Sequence, residues 1–366
     1  MSLHTQGSAP WTLREADFPI GGTAFERARY LLRYAILAPS TKNTQPWKFA
    51  IAGDRIDIFP DLTRWLRVSD PDQRELHISL GCALENLVVA ADHFGYVCDV
   101  RYGASGDGPL DAVASITVTA ARAGAPRTRP AGLFEGLTSR QTIHASFTAR
   151  GVPPGVERQI AHLATSPDTR LLLTNERATI HALAAFSAEA DVSELGDADY
   201  RRELARIVGE GAFGTSRAVS ALGRIALPHL DTGAKLARRD DALIREAPLL
   251  GLISTRQDDR ASQVKAGQLF ERICLMATIL GLHVHPMSQA LQIPTLRSKV
   301  ARHSGEPVFH PQQMFRLGYA APQPRRHTPR RSVEQVLVGR RFRPDAFGSP
   351  DCQSSAGQWS FRILPV

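Results

Sequence analysis

The sequence predicts an α+β protein made of two fused copies of one unit. Residues 81–95 (GCALENLVVAADHFG) align with residues 267–281 (GQLFERICLMATILG), and the identical pairs are Gly81/Gly267, Glu85/Glu271, Ala91/Ala277 and Gly95/Gly281. Both segments have the apolar period of a helix, and both end at a glycine, as many helices do. Predicted strands follow each helix, at 96–102 and 111–120 in the first copy and at 282–286 and 313–321 in the second.

The first half opens with a predicted helix and a predicted hairpin. Thr23 and Glu26 have the spacing of a capping box, which predicts a helix that runs to about Leu37. Residues 49–59 alternate between apolar and polar side chains on either side of Gly53-Asp54. This pattern predicts two strands joined by a turn.

The second half contains predicted helices and strands in alternation. The helices are expected at 156–163 and 199–208, and the strands at 170–173 and 247–254 (APLLGLIS). Residues 339–366 lack periodicity, so we expect a tail that is loosely ordered or that wraps the surface.

The composition is that of an ordinary globular protein. The chain has 366 residues, of which 43% are hydrophobic and 22% charged, and such a chain buries a core without disulfides or metals. The N-terminal residues lack the basic and apolar regions of a secretory signal. No run reaches the roughly 18 apolar residues that a membrane span requires. We therefore expect a cytoplasmic protein that does not enter a membrane.

The formal net charge of +8 and the pI of about 9.7 raise the question of nucleic-acid binding. The arginines are dispersed, and no aromatic residues alternate with a basic run, so nucleic acid is not an expected partner. The densest basic cluster is 324–331 (PRRHTPRR). Two interpretations of it stay open: a solvated basic segment, or a phosphate site made of two or three arginines.

Three local patterns resemble sites without their required context. Residues 209–214 match GxGxxG, but they follow a charged helix instead of a strand, so we expect a loop there. His283 and His285 project to one side of a predicted strand, without a third metal ligand at a useful spacing. Cys82 and Cys274 lie in apolar helical runs and are expected to be reduced core thiols.

A polar, proline-rich segment follows the first predicted helix. Residues 38–49 read APSTKNTQPWKF, which is more turn chemistry than a turn requires. The segment therefore indicates a surface shaped for a small, flat ligand with polar edges. It resembles the P-S-x-x-N-x-Q-P-W signature of the nitroreductase family of flavoproteins. Within it, Pro46 and Trp47 are expected to pack in the core.

Three further segments resemble the same family. SRQTIHASF at 139–147 resembles its R-x-S-x-[KR] segment, and HVHPMSQALQIPTLRSKV from His283 resembles the flavin-ring segment of Acg-like double-domain proteins. RLGYAAPQPRRHTPRRSVEQVL from Arg316 resembles the strand and basic segment that close a nitroreductase unit. The resemblance covers about residues 20–340. It implies two fused nitroreductase-like α/β units forming a pseudo-dimer, with a first unit at 1–125, a second at 126–338 and a tail at 339–366.

In ordinary nitroreductases, one chain supplies the P-S-x-x-N motif and its partner supplies the R-x-S motif. Here the first repeat has only the former motif, and the second has only the latter. The resemblance therefore implies one complete flavin site, in a chain that works as a monomer because it contains both halves of a dimer.

The resemblance implies FMN as the cofactor. Arg140, Thr142 and His144 would bind the phosphate, with His144 a weaker cation than the family's usual Lys or Arg. Ser40 and Asn43 would bind the ring edge or the ribityl hydroxyls, and backbone amides at 287–289 would face the ring. The expected FMN-binding residues are Pro39, Ser40, Asn43, Arg140, Thr142, His144, Met287, Ser288, Gln289, Arg330 and Arg331. For Arg330 and Arg331, plain surface charge is the alternative.

The implied activity is hydride transfer from NADH or NADPH through FMN to a nitroaromatic or quinone-like acceptor. The flavin carries that chemistry, so no catalytic acid or base is named. The alternative is an FMN-binding or storage protein with little turnover, in which a lid covers the flavin. The candidate lid is the glycine-containing, arginine-rich segment 209–240.

Overall fold

A computed structural model of the chain describes residues 9–103, 112–122, 124–226, 233–305, 307–322 and 327–339. The strands are β1 (Trp47–Ala52), β2 (Arg55–Pro60), β3 (Tyr96–Tyr102), β4 (Ala114–Ala120), β5 (Thr169–Thr174), β6 (Leu249–Thr255), β7 (His283–Pro286) and β8 (His310–Gly318). The helices are α1 (Ala24–Ala35), α2 (Arg74–His93), α3 (Leu133–Ser139), α4 (Pro154–Ala161), α5 (Arg177–Gly196), α6 (Ala198–Gly209), α7 (Arg217–Ala226), α8 (Gly233–Arg245), α9 (Arg260–Ile279), α10 (Gln289–Gln292), α11 (Pro294–His303) and α12 (Val333–Val336). The predicted tail at 339–366 lies outside the described residues, apart from Gly339.

Two four-stranded antiparallel sheets have the same topology. The first has the order β1-β2-β4-β3 and the second the order β5-β6-β8-β7. Strands β5, β6, β7 and β8 therefore occupy the positions of β1, β2, β3 and β4. The prediction of an α+β chain with a duplicated unit is therefore confirmed. The halves differ where a tight turn at Gly53 joins β1 to β2, whereas four helices (α5 to α8) connect β5 to β6.

The local signals that place the first helix are present. Thr23 caps α1, with its side chain accepting from the Glu26 amide while the Glu26 carboxylate accepts from the Thr23 amide. The buried face of α1 includes Leu31, Leu32 and Ala35, as expected of an amphipathic surface helix. The predicted helix at the start of the chain is thus confirmed, within a residue or two at its end.

The repeated glycines mark the place where the two central helices touch. A Cβ added to Gly81 on α2 would lie 2.1 Å from the Val264 carbonyl oxygen of α9, and one added to Gly267 would lie 2.0 Å from the Ile78 oxygen. No side chain fits between the two backbones. Cys82 lies at the same crossing, where its thiol donates to the Gly267 carbonyl at 3.3 Å. Cys82 is a buried free thiol, as predicted.

The C-terminal segment of the second half also extends the sheet of the first half. The Val338 amide, near the end of the described chain, donates to the Phe49 carbonyl of β1 at 2.8 Å. Thr142, which belongs to the second half, forms a parallel bridge with Val284 of β7 in the same half. The loop after α1, the segment around Arg140 and the C-terminal segment line one cavity.

Several elements were not predicted. The sequence did not predict α3, α5, α10, α11 or α12, and the candidate lid 209–240 includes α7 and the first part of α8. Residues 210–213 form turns after α6, as expected of a loop that merely matches GxGxxG. Among the described residues, no helix is long and apolar enough to cross a membrane.

Candidate functional site

A cavity of about 520 Å³ lies where the loop after α1, the segment around Arg140 and the C-terminal segment meet. This volume is within the range of about 300–1,000 Å³ common for small-molecule sites. Both halves of the chain line it. All the predicted FMN-binding residues except Met287 and Arg331 face it, namely Pro39, Ser40, Asn43, Arg140, Thr142, His144, Ser288, Gln289 and Arg330.

The loop after α1 has an unusual backbone. Lys42, Asn43 and Gln45 have φ values of 49°, 56° and 51°, in the left-handed region that side chains with a Cβ rarely adopt. The Ser40 hydroxyl stabilises this loop by accepting from the Gln45 amide at 2.8 Å. Trp47 is fully buried, as predicted for core packing. Such strain in a well-bonded loop is typical of binding sites.

The Asn43 side chain ties this loop to two distant segments. Its Nδ2 donates to the Ala212 carbonyl at 2.7 Å and to the Pro329 carbonyl at 3.1 Å, and its Oδ1 accepts from Arg330 at 2.9 Å. Asn43 is therefore bonded both to the candidate lid and to the C-terminal segment in this structure. Phe213, next to Ala212, also lines the cavity.

Two buried arginines meet at the base of the cavity. Arg140 and Arg330 are 5% and 9% exposed, and both guanidiniums donate to the Leu37 carbonyl, at 3.5 Å and 3.1 Å. The carboxylate of Glu271, fully buried beneath them, lies 3.4 Å from Arg140 Nε. Burial raises the pKa of Glu271 to about 8 in spite of the two arginines. Burial, together with the neighbouring Arg140, lowers the pKa of Arg330 to about 9.

At neutral pH the floor of the cavity therefore holds two guanidinium cations, with the largely protonated Glu271 carboxyl group beneath them. Two buried cations repel each other, and an anion bound between them would offset this repulsion and their cost of burial. The arrangement fits a dianionic group such as a phosphate, which accepts several charge-assisted hydrogen bonds from guanidiniums.

At the equivalent position in the first repeat, the buried carboxylate is already paired with arginines. Glu85, the counterpart of Glu271, accepts from Arg129 at 2.6 Å and 3.0 Å and from Arg272 at 2.7 Å and 3.1 Å. Burial alone would raise the pKa of Glu85, but Arg272 and Arg129 lower it below its usual value. Arg129 and Arg272 are thus paired with an ionised carboxylate of the protein. Arg140 and Arg330, in contrast, lie next to a largely protonated carboxyl group and can pair with a bound anion.

His144 lies at the cavity but does not act as a cation. Desolvation and the nearby Arg239 and Arg316 lower the pKa of His144, so its imidazole is neutral at pH 7. Its ring stacks edge-on against His285 at 4.3 Å between centroids. His285 Nδ1 in turn accepts from Arg316 at 2.9 Å. The cations available to an anionic ligand are thus Arg140 and Arg330, since the Lys42 ammonium group in the lining donates to Ser69.

The structure does not bring Met287 or Arg331 to the cavity. The Met287 side chain is buried in the second sheet's apolar cluster, and its amide donates to the Met314 carbonyl at 2.9 Å. Arg331 instead pairs with Asp61 at 3.0 Å and donates to the Gln45 carbonyl at 3.0 Å. Consecutive side chains point in different directions, so Ser288 and Arg330 face the cavity whereas their neighbours Met287 and Arg331 do not.

Three kinds of residue in the cavity or directly beneath it were not predicted from the sequence. Glu271 was noted as a repeated position without a role, although a carboxylate within an apolar helical run is itself a signal. Asp191 comes from α5, a helix that the sequence did not show to be near the site, and Gln292 lies in the predicted flavin-ring segment but was not named as a contact. Ile78 and Phe270 supply apolar walls, and no local signal distinguishes them from ordinary core.

The lining fits FMN by its chemistry. The buried arginine pair suits the phosphate, Thr142 and Ser40 add hydroxyls, and Ile78 and Phe270 provide apolar surface for a planar ring. When bound there, FMN would supply two-electron redox chemistry. The fold and cavity thus define a duplicated α+β protein whose described residues form a cavity that fits an anionic, planar cofactor.

Curated relatives point to the same class. The chain is 28% identical over 323 residues to "Putative NAD(P)H nitroreductase Rv3131" of Mycobacterium tuberculosis, covering 85% of this chain and 91% of that protein. It is 26% identical over 320 residues to "Putative NAD(P)H nitroreductase acg" of the same organism, covering 84% and 93%. The predicted resemblance to Acg-like nitroreductases is therefore confirmed: the chain is similar to these proteins over most of its length.

No protein-family model matches the chain. Among solved structures, a nitroreductase with bound FMN from Desulfitobacterium hafniense is 14% identical, with a TM-score of 0.37, and covers 55% of this chain and 95% of that one. The nitroreductase NfnB from Mycobacterium smegmatis in complex with NADPH is 17% identical, with a TM-score of 0.34, and covers 51% and 86%.

Proposed function

We propose that this chain is an FMN-dependent oxidoreductase of the nitroreductase type. NADH or NADPH would lose a hydride, and a nitroaromatic or quinone-like acceptor would gain the two electrons, with the additional proton taken from water. The single observation that supports this most is the buried pair Arg140 and Arg330, whose charge Glu271 does not balance.

The protein's own contribution is binding, orientation and exclusion of water. Arg140 and Arg330 would bind the phosphate with Thr142 beside them, while Ser40 and Asn43 would orient the ring or the ribityl chain. Pro39, Ser288 and Gln289 complete the lining, and His144 would contribute a neutral imidazole. Met287 and Arg331 would act indirectly, by fixing the segments that carry Ser288 and Arg330.

The proposed organisation is a pseudo-dimer within one chain. Its units would be 1–125 and 126–338, with 339–366 as a tail, and the contact of Val338 with Phe49 would replace one made between the chains of a dimer. A monomer in light scattering, at the mass of 40.0 kDa, is the expected result. Cytoplasmic location stays a prediction of the sequence.

A second candidate function is flavin binding or storage with little turnover. The observation that favours it is the bond from Asn43 to Ala212, together with Phe213 at the cavity. A segment bonded in this way limits access of both hydride donor and acceptor for as long as it stays closed.

The first test is an absorption spectrum of the purified protein, repeated without oxygen after NADPH is added. Flavin peaks that bleach within seconds support the reductase. Flavin peaks that persist with NADPH but bleach with dithionite support the lidded binding protein. If no flavin peaks appear, even after incubation with FMN and desalting, both proposals are wrong.

A further inference from the structure

The cavity has a second end, opposite in chemistry to the arginine pair. Asp191 on α5 is 6% exposed and lines the cavity, and its Oδ2 forms no hydrogen bond with any residue that the structure describes. A buried carboxylate oxygen without a partner costs free energy, so it indicates a ligand that supplies a donor.

Two glutamines next to Asp191 present further acceptors. Gln289 donates its Nε2 to Asp240 at 3.1 Å, and Gln292 donates its Nε2 to Glu75 at 2.9 Å. Because these bonds use the amide nitrogens, the oxygens are what remain, and neither Oε1 has a hydrogen-bond partner within the described ranges. Both glutamines line the same cavity as Asp191.

The neighbouring cations are already engaged with other groups. Lys42 donates to Ser69 at 2.6 Å, and the carboxylates that act on it are Glu194, Glu75, Glu203 and Asp70. Arg74 pairs with Glu75 at 3.2 Å. Burial, and after it the neighbouring Asp240, raises the pKa of Asp191 to about 7, and Arg239 and Arg316 act in turn on Asp240.

The recess therefore combines three acceptor oxygens that have no hydrogen-bond donor among the described residues, those of Asp191, Gln289 and Gln292. We propose that it binds a protonated primary amine on the electron acceptor, so that the preferred substrates are nitroaromatic or quinone-like compounds that carry an ammonium group. An ammonium group has three N–H donors, one for each of these oxygens, and its positive charge favours the ionised form of Asp191. The substrate class rests on the proposed reductase function, whereas the ammonium recess itself is defined by the protein alone.

The test compares two nearly isosteric probes, 4-nitrobenzylamine and 4-nitrobenzyl alcohol, which differ in charge at neutral pH. Equilibrium dialysis against the oxidised protein, without hydride donor, measures their dissociation constants independently of turnover. The ammonium probe is expected to bind about tenfold more tightly, as one charge-assisted hydrogen bond provides.

Asp191→Asn should bring the two dissociation constants close together while the flavin spectrum stays unchanged. The matched control is Asp199→Asn, which removes the same charge from an exposed carboxylate paired with Arg202 on the surface. It should keep the full preference. A reductase assay adds a second readout, in which Asp191→Asn lowers the ratio of kcat/KM for the amine to kcat/KM for the alcohol, whereas Asp199→Asn keeps the wild-type ratio.

Equal binding of both probes, a preference that survives Asp191→Asn, or no binding of either at millimolar concentration would each overturn the recess. If the protein takes up flavin and bleaches with NADPH in any of these cases, the reductase proposal is unaffected. If flavin is absent but the amine is still preferred, the recess stands and the reductase proposal fails.

Discussion

Replacing Arg140 with methionine separates a cofactor-binding role from a structural one. Arg140→Met keeps the length and apolar bulk of the side chain and removes its charge. A hydrogen bond to a charged group is worth about 1.5–3 kcal/mol, so the dissociation constant for FMN should rise roughly tenfold to a hundredfold.

The stability of the flavin-free protein should not fall in the same variant. The contacts of Arg140 are long, at 3.4 Å to Glu271 and 3.5 Å to the Leu37 carbonyl. Its positive charge also repels Arg330. Removing it therefore relieves repulsion and breaks no strong bond, so the thermal midpoint without FMN should stay unchanged or rise.

The matched control is Arg129→Met, which removes an arginine from Glu85, the counterpart of Glu271 in the first repeat. Arg129 makes two short hydrogen bonds to the buried Glu85 carboxylate. Breaking a buried ion pair costs about 3–5 kcal/mol, and the lower end applies here since Arg272 remains. This variant should lose thermal stability and keep its affinity for FMN.

Fluorescence titration of flavin-free protein with FMN, together with thermal unfolding, measures both quantities. The reasoning is refuted if Arg140→Met binds FMN as tightly as wild type. It is also refuted if both variants lose equal stability, because Arg140 would then be an ordinary structural arginine.

Three other predictions test separate features. The pKa of Glu271 is raised from 4.5 to about 8 in the folded state, so its contribution to stability is present below pH 4.5 and is lost as the pH rises to 8. In urea unfolding, the free energy of unfolding of Glu271→Gln should therefore increase relative to that of wild type across this pH range. A difference that stays constant with pH would contradict this. Gly81→Ala places a Cβ 2.1 Å from a backbone oxygen and should cost several kcal/mol or prevent folding, whereas Gly196→Ala, with no atom within 4 Å, should be tolerated in thermal unfolding. Phe213→Ala should speed bleaching by NADPH in stopped flow if the lid limits access, with exposed Val219→Ala as the control; identical rates in both would exclude Phe213 as part of a barrier.

Much of the architecture could be predicted because its causes are local. The capping box at Thr23, the alternation around Gly53 and the glycine-terminated helices depend on neighbours a few residues apart. The repeat of Gly81 in Gly267 even indicated the two-unit organisation, though not that these glycines touch. The four-helix connection between β5 and β6 could not be placed, because its amphipathic helices are compatible with several packings.

The candidate site was predictable by segment and not by side chain. The motif around Asn43 and the segment around Arg140 both proved to line the cavity, while Met287 and Arg331 did not. Whether a residue faces a cavity depends on the direction of its side chain and on chain segments that pack against it from far away in sequence.

By itself, the sequence determined the class of protein: two α+β units, a loop with the nitroreductase signature in the first, and an arginine-bearing segment in the second. Only the tertiary structure decided how the charges are balanced. Arg129 and Arg272 neutralise Glu85, whereas its repeat partner Glu271 is left mostly protonated beneath two arginines. Charge compensation depends on distances of a few ångströms between residues far apart in the chain, and on burial, neither of which spacing in the sequence specifies.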